Sequence, residues 1–301
     1  MNTITSKQNT EKIIGVITAR MASERLPGKV MKDLVGKSVF AHHVERLRNV
    51  TLLDGIYLAT SHDPGINDPL IQEANDLEVP YYEGEKNDVL ERHVKIVETT
   101  GATAVIRVTC DMPLFDIPTL DAYIQLFRNT QPDYIYPANF NLLSGTMCEL
   151  ISASAIKKSY CNYKGPAISK YIIENKEEFD IKGVMIRNDI CRTDVRLDLD
   201  FSEDLELIRQ IYDKLYKGQP IPLEEVYKFL DDNPGLILIN KFRAHNEAAS
   251  YTHSLLYNKP IYQIVKAGER VEVLNKLGQF VEYKQFLKEI EILFNSRNLT
   301  K

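Results

Sequence analysis

A ten-residue segment near the amino terminus, residues 20–29, contains four side chains suited to bind a triphosphate. The set is Arg20, Ser23, Arg25 and Lys29, and it follows the apolar run 13–17. Arginine offers a planar fork of hydrogen-bond donors and lysine a compact charge, and both bind phosphate oxygens. Ligands of open α/β sheets gather at the carboxyl ends of the strands, where such a loop would lie. The spacing therefore predicts a nucleotide phosphate site.

A solvated connector is the alternative interpretation of this loop, because Pro27-Gly28 is an ordinary turn signal and surface loops are rich in Arg and Lys. Two common phosphate-binding motifs are excluded. Walker A needs a Gly five residues before its Gly-Lys pair and a Ser or Thr after it, whereas Val30 follows Gly28-Lys29 and no such Gly precedes them. The dinucleotide-binding pattern G-x-G-x-x-G follows none of the strand-like runs.

Three aspartates in two segments are candidate metal ligands. Asp111 follows a strand-like run, and Asp198 and Asp200 alternate in the segment that begins at Arg196. Alternation in a strand puts two side chains on one face, where a divalent cation relieves the repulsion between carboxylates. The alternative is a turn at Asp111 and a solvated strand edge at the other two.

Strand-like and helix-like segments alternate along the chain. The predicted strands are 13–18, 56–60, 104–109 and 133–136, and the predicted helices include 69–77, 118–128, 203–216 and the apolar faces around Val44 and Val94. Ser38 and Ser202 are placed to cap two of these helices. The order predicts an α/β fold with a mostly parallel, doubly wound, Rossmann-like sheet. We divide the chain into a loose tail (1–12), a main domain (13–232) and a small C-terminal appendage (233–301).

Bulk properties narrow the class of protein. The chain has 301 residues, of which 44% are hydrophobic and 26% charged, as in ordinary soluble globular proteins. The net charge of −5 argues against a general nucleic-acid binder. No apolar run has the length of a membrane span and no signal-peptide core is visible. The four cysteines and six histidines show no metal-type spacing, so we expect reduced thiols and a cytoplasmic protein.

The pattern Arg20-x-x-Ser-x-Arg-Leu-Pro-Gly-Lys29 resembles the signature of cytidylyltransferases that activate acidic sugars. These include the 3-deoxy-manno-octulosonate and sialic acid (acylneuraminate) enzymes, and the likeness is strongest to the branch typified by spore coat polysaccharide biosynthesis protein F. It runs from Ile13 to about Tyr227 and makes the main domain a nucleotidyltransferase domain. The resemblance implies that CTP is bound by Ala19, Arg20, Ser23, Arg25, Lys29 and Asp111. It also implies Mg²⁺ ligands at Asp111, Asp198 and Asp200, and catalytic roles for Arg20, Lys29, Asp111 and Asp200.

Four further residues are candidates for binding an acidic acceptor. Asp88 and Arg92 match a D-V-L-x-R segment of the same branch, and Glu149 matches its Gly-x-x-x-Glu segment. Arg107 stands between apolar residues of a strand, where a cation needs a counter-charge or a ligand. The alternative for Asp88 is an acidic helix start, and for Glu149 simple exposure.

Three departures from the resemblance bear on activity. Cys110 replaces a Gly, Ser202 replaces a Pro, and Pro166-Ala167 replaces a Glu-His pair. The last change predicts an altered acceptor pocket or weakened activity.

The function predicted is Mg²⁺-dependent transfer of CMP from CTP to an acidic sugar, with release of pyrophosphate, for surface polysaccharide synthesis. A homodimer is implied by the resemblance alone. Three alternatives stay open at this point: a nucleotidyltransferase that uses another triphosphate or a non-sugar acid such as a phosphonate, a glycosyltransferase, and a non-catalytic nucleotide-binding scaffold.

Overall fold

The computed structural model describes residues 11–138, 145–186, 190, 192, 194–243, 261–267 and 270–274. Most of the predicted tail and of the predicted appendage, together with Cys191, lies outside these ranges. Cys110, Cys148 and Cys161 are free thiols. Within the described ranges, no helix is long and apolar enough to cross a membrane.

Strands and helices alternate through the described chain as the sequence predicts. The strands are β1 (Ile13–Thr18), β2 (Asp33–Leu34), β3 (Lys37–Ser38), β4 (Gly55–Ser61), β5 (Tyr81–Gly84), β6 (Ala104–Thr109), β7 (Tyr134–Pro137), β8 (Glu149–Ser152), β9 (Ile181–Met185), β10 (Ile261–Ala267) and β11 (Arg270–Leu274). The helices are α1 (Val39–Arg48), α2 (Asp68–Asp76), α3 (Val89–Thr100), α4 (Ile117–Thr130), α5 (Ala153–Asn162), α6 (Lys170–Glu174), α7 (Ser202–Leu215) and α8 (Leu223–Asp232). Short 3₁₀ turns cover Lys29–Met31, Lys176–Glu178 and Pro234–Ile239.

One nine-stranded sheet, in the order β11-β10-β9-β7-β8-β6-β1-β4-β5, forms the centre of the fold. It is parallel except that β8 runs antiparallel to β6 and β7, and β11 antiparallel to β10. The α/β class and the mostly parallel sheet are therefore confirmed. The strands at 261–274 extend this sheet through β9, and the predicted domain boundary at 233 stays a prediction.

Strand β1 is buried on both faces of the sheet, which explains why it contains no charged residue. Ile13 and Ile17 belong to the apolar core on one face of the sheet, and Ile14 and Val16 to the core on the other. All four are fully buried, as expected for a strand covered by helices on both sides. Because β1 pairs in parallel with β4 and β6, the loops that follow these three strands meet at one edge of the sheet.

The two predicted helix caps have different outcomes. Ser38 caps α1, since its hydroxyl accepts a hydrogen bond from the Ala41 amide. The prediction for Ser202 is wrong: α7 starts at Ser202, after an N-cap at Phe201. One oxygen of the Asp204 carboxylate accepts from the amides of Asp200 and Phe201, both at 2.9 Å, and so satisfies two backbone donors at the start of the helix.

Gly145 packs directly against the backbone of the segment that contains Asp198 and Asp200. Gly145 has φ +76°, and a Cβ there would lie 2.2 Å from both the Leu197 carbonyl carbon and the Asp198 nitrogen. Only a residue without a side chain permits this close approach of two main chains.

We predict that Gly145→Ala destabilises the protein by about 1–3 kcal/mol more than Gly218→Ala, because a methyl group there overpacks against backbone. Gly218 also has positive φ (+82°), but nothing lies within 4 Å of its virtual Cβ, so it controls for left-handed strain. Urea unfolding of both variants measures the difference. Equal losses would show that the close approach is unimportant.

Candidate active site

The cationic loop after β1 is held in a fixed shape by its own backbone and by one buried amide. Gly28, with φ +65°, and Ser23 both donate backbone hydrogen bonds to the Met21 carbonyl, at 3.0 and 2.9 Å. The Met21 amide donates to Oδ1 of the fully buried Asn67, at 2.9 Å. Asn67 in turn donates to the Ser61 carbonyl at the end of β4. The loop is thus fastened to two neighbouring strands.

Lys29 lies at the centre of the site. Its Nζ donates to the Leu199 carbonyl at 3.0 Å and to Asp200 Oδ1 at 3.1 Å, and lies 3.6 Å from Asp111 Oδ2. Burial opposes the charged form, but the carboxylates of Asp111 and Asp200 outweigh it and raise the pKa of Lys29 above its usual value. Burial likewise works against the Asp111 carboxylate, yet Lys29 holds the pKa of Asp111 below its usual value.

The other predicted loop residues occupy distinct positions. Arg25 Nη2 donates to Asp200 Oδ1 at 2.8 Å, while 56% of its side chain is exposed. Ala19 is buried and continues the pairing of β1 with β4 through its amide. The Ser23 hydroxyl accepts from the Leu26 amide at 3.4 Å and so braces the loop internally. Arg20 is exposed at the same edge.

The acidic segment is organised by Arg196, whose guanidinium contacts three carboxylates. It donates to Asp198 and Asp200 at 3.1 Å each and to Asp204 at 3.2 Å. Although burial lowers it, the pKa of Arg196 is raised on balance by these carboxylates. The prediction that Asp198 and Asp200 alternate in a strand is wrong, because residues 195–200 pair with no strand. The Leu199 amide donates to the Asp111 carbonyl at 2.7 Å, and salt bridges to one central arginine hold the acidic side chains.

Donors for a divalent cation are present, but they are not gathered as a preformed cage. Within the described residues, no group of three or more His, Cys, Asp or Glu side chains is arranged to hold a metal ion. Asp111 and Asp200 both border Lys29, and the buried Oδ1 of Asp111 has no hydrogen-bond partner. Mg²⁺ typically takes one or two carboxylates together with substrate phosphates and water. The donor set fits a cation that arrives with the triphosphate.

Two of the predicted acceptor residues form a salt bridge across β6 and β8. Arg107 Nη1 lies 3.0 Å from Glu149 Oε2, and the two residues are register partners in the sheet. Glu149 is 7% exposed at its side chain, and it also accepts from the hydroxyls of Tyr134 and Ser169. The expected counter-charge of Arg107 is therefore Glu149, which is buried rather than exposed.

The remaining two lie at the start of α3. Asp88 caps this helix by accepting from the Glu91 amide at 3.0 Å, which is the structural role that its alternative interpretation describes. Arg92 is buried and donates to the Glu85 carbonyl at 2.6 Å. Burial is the main cause that lowers the pKa of Arg92, and the nearby positive charge of Arg20 lowers it further. The Nε atoms of Arg92 and Arg107 are both buried without a hydrogen-bond partner.

Sequence reasoning missed the residues that hold the site in place. Asn67 is one amide among many polar residues, and no local pattern distinguishes it. Arg196 and Asp204 carried a signal, since an arginine two, four and eight residues before three aspartates can bridge all of them. Asn240 is 1% exposed and donates to the Arg196 carbonyl at 3.0 Å and to Asp204 Oδ1 at 2.8 Å.

A doubly wound sheet with a cationic loop and carboxylates at one edge defines a nucleotidyltransferase. More narrowly, the chain belongs to the cytidylyltransferase family, whose sequence model matches residues 14–219. The chain is 28% identical over 237 residues to the spore coat polysaccharide biosynthesis protein SpsF of Bacillus subtilis, covering 74% of this chain and 95% of that protein.

A further relative is similar to part of the chain, and a solved structure has the same fold. The chain is 32% identical over 117 residues to a 3-deoxy-manno-octulosonate cytidylyltransferase of Christiangramia forsetii, covering 39% of this chain and 46% of that protein. The structure of a cytidylyltransferase from Leptospira borgpetersenii superposes with a TM-score of 0.69 at 24% identity, covering 75% of this chain and 97% of that one.

We predict that Asp111→Asn is less stable than the wild type at pH 7 and that the difference shrinks as the pH falls. The folded pKa of Asp111 lies below its ordinary value of 3.8, so its ion pair stabilises the fold above that pH. The contribution is lost as the pH falls through the folded pKa. Unfolding free energies from pH 3 to pH 7 measure it, with the exposed Asp76→Asn as control. A difference that does not change with pH would contradict the assignment.

Proposed function

We propose that this chain uses CTP and Mg²⁺ to transfer CMP to an acidic sugar, releasing pyrophosphate, as a step in surface polysaccharide synthesis. Membership of the cytidylyltransferase family supports the nucleotide. The names of its relatives, a spore coat polysaccharide protein and a 3-deoxy-manno-octulosonate enzyme, support the acceptor class. The observation that carries the proposal is the Lys29 ammonium, which borders two carboxylates beside Arg25.

The loop cations are charged and positioned before the nucleotide binds. The raised pKa of Lys29 keeps its ammonium protonated at neutral pH. Arg25 is more than half exposed, so the phosphate oxygens of CTP reach its remaining donors without displacing the whole Asp200 contact. Charge-assisted hydrogen bonds to phosphate are among the strongest in proteins. The loop thus orients the triphosphate against the end of β6.

Asp111 and Asp200 are the residues that would hold Mg²⁺, and Asp198 precedes Asp200 in the same segment as a further candidate ligand. A bound cation would neutralise phosphate charge and favour pyrophosphate as the leaving group. Arg196 supports this arrangement, because its hydrogen bonds to Asp198 and Asp200 hold both carboxylates in position.

An acidic acceptor finds cations on the β6 and α3 side of the site. The unpartnered Nε–H groups of Arg92 and Arg107 can donate to its carboxylate, and Glu149 holds Arg107 in position. The acceptor oxygen then attacks the α-phosphorus of CTP, and the bond to the β-phosphate oxygen breaks. No protein nucleophile is needed, so catalysis rests on position and electrostatics.

Arg20 lies near Asp63 and Arg92, since its positive charge acts on both side chains. Cys110 is fully packed at the end of β6, 3% exposed, and its side chain points into the apolar core. The homodimer and the cytoplasmic location stay predictions.

We predict selective binding of CTP over UTP, GTP and ATP in calorimetric titrations with Mg²⁺, and pyrophosphate release in the presence of an ulosonic or sialic acid. Lys29→Ala should lower pyrophosphate release by at least about 100-fold, because it removes a cation from the developing charge. Lys95→Ala, at an exposed position of α3, is the matched control.

The outcomes separate the alternatives. Preference for another triphosphate, or turnover only with a phosphonate, would keep the nucleotidyl transfer and change the substrates. Sugar transfer from an intact nucleotide-sugar would indicate a glycosyltransferase. CTP binding without turnover over a broad acceptor panel would indicate a scaffold, consistent with Pro166-Ala167. Full activity in a folded Lys29→Ala variant would contradict the assignment of the active site.

We predict that CTP binds at least about tenfold more weakly in EDTA than in Mg²⁺, because the carboxylates then face the triphosphate without a neutralising cation. Calorimetry measures this directly, without turnover. The Mg²⁺ dependence should be smaller in Asp111→Asn, which lacks one ligand. Equal affinity with and without Mg²⁺ would contradict the metal assignment.

A further inference from the structure

Residues beyond the family match contribute side chains to the site. The matched range ends at residue 219, whereas the 3₁₀ turn Pro234–Ile239 and residues 240–243 follow α8. Asn240 fastens this segment, because its side-chain amide donates both to the Arg196 carbonyl and to the Asp204 carboxylate. The segment is therefore tied to the same network that holds the catalytic carboxylates.

The next turn brings a further arginine to the edge of the site. The Arg243 amide donates to the Asn240 carbonyl at 2.9 Å, so the position of Arg243 follows from that anchor. Its guanidinium carbon lies 4.0 Å from the centroid of the Phe201 ring, and its Nη2 donates to Glu203 at 2.6 Å. Phe201 is the residue directly after Asp200.

Arg25 also lies over the Phe201 ring. The guanidinium carbon of Arg25 lies 5.4 Å from the Phe201 centroid, so two guanidinium groups share one ring. Each has a single carboxylate neighbour, Asp200 for Arg25 and Glu203 for Arg243. Two cations held this close repel one another unless an anion lies between them or beside both.

Arg243 has donor capacity that the protein does not use. Its Nε is buried and has no hydrogen-bond partner among the residues that the structure describes, and its side chain remains 31% exposed. A buried N–H without an acceptor costs free energy, and an incoming anionic oxygen removes that cost. Arginine presents its donors as a planar fork that matches a phosphoryl group.

We propose that Arg243 binds the pyrophosphate portion of the triphosphate together with Arg25, with Phe201 as the platform that keeps the two guanidinium groups in place. The β- and γ-phosphoryl groups that would contact the two arginines are present in CTP and in pyrophosphate and are absent from CMP. The identity of this anion as part of a nucleotide rests on the proposed function. The anion site itself rests on the contacts of Arg25, Phe201 and Arg243.

Calorimetric titration with inorganic pyrophosphate, CTP and CMP tests the proposal. Arg243→Ala should weaken pyrophosphate and CTP binding by about tenfold or more and leave CMP affinity within about twofold. Arg243→Lys keeps the charge but loses the fork, and should fall between the wild type and Arg243→Ala. Arg209→Ala, at a half-buried arginine on α7 that donates to the Asp33 carbonyl, is the matched control.

Each outcome bears on one of the two claims. If Arg243→Ala weakens the binding of CMP and of pyrophosphate equally, Arg243 only supports the structure and does not bind the anion. Unchanged pyrophosphate affinity in that variant, or no pyrophosphate binding by the wild type, would overturn the anion site. If the wild type binds pyrophosphate through Arg243 but never turns over CTP, the anion site stands and the cytidylyl transfer fails. Thermal unfolding of each variant confirms that the fold is retained.

Discussion

The Lys29 ammonium is the interaction on which the rest of the site depends. It joins three parts of the chain: the loop after β1, the end of β6 at Asp111, and the segment that contains Leu199 and Asp200. Only 14% of its side chain is exposed, and a buried ammonium is stable only when carboxylates and carbonyls surround it. The parallel register of β1 and β6 satisfies this condition, because it places the two strand ends side by side. Cations and carboxylates are thus already assembled at the edge of the sheet where we propose that the triphosphate binds.

A second layer determines where Asp200 can lie. Arg196 bridges the acidic side chains from one side, and Asn240 holds both the Arg196 backbone and Asp204 from the other. Gly145 lets a neighbouring backbone pass within contact distance of this segment. These supports come from positions up to about a hundred residues apart in the chain. An irregular segment can therefore be well fixed, since side chains and the backbone carbonyl of Asp111 together satisfy its main-chain polar groups.

The carboxyl edge of the sheet divides into two cationic regions with different surroundings. The loop region around Lys29 and Arg25 lies beside carboxylates, which suits a phosphate that arrives with a divalent cation. The region around Arg107 and Arg92 is more buried and contains guanidinium donors without partners, which suits a carboxylate without a metal. Arg20 influences the second region through its charge. In the proposed reaction, the two anionic substrates would therefore bind side by side without competing for the same donors.

The sequence by itself determined strands β1, β4, β6 and β7, most of the helices, the Ser38 cap and the cationic loop, because these depend on apolar periodicity and on neighbours within a few residues. It gave a wrong cap at Ser202 and a wrong strand at 198–200, since alternation of charges looks the same in a strand and in an extended segment. Only the tertiary structure decided which charges pair: Lys29 meets Asp200 across 171 positions, and Arg243 reaches the Phe201 ring that also carries Arg25. Local composition fixes what an element is, whereas the partner of a charged side chain depends on which distant segments the sheet brings to one edge.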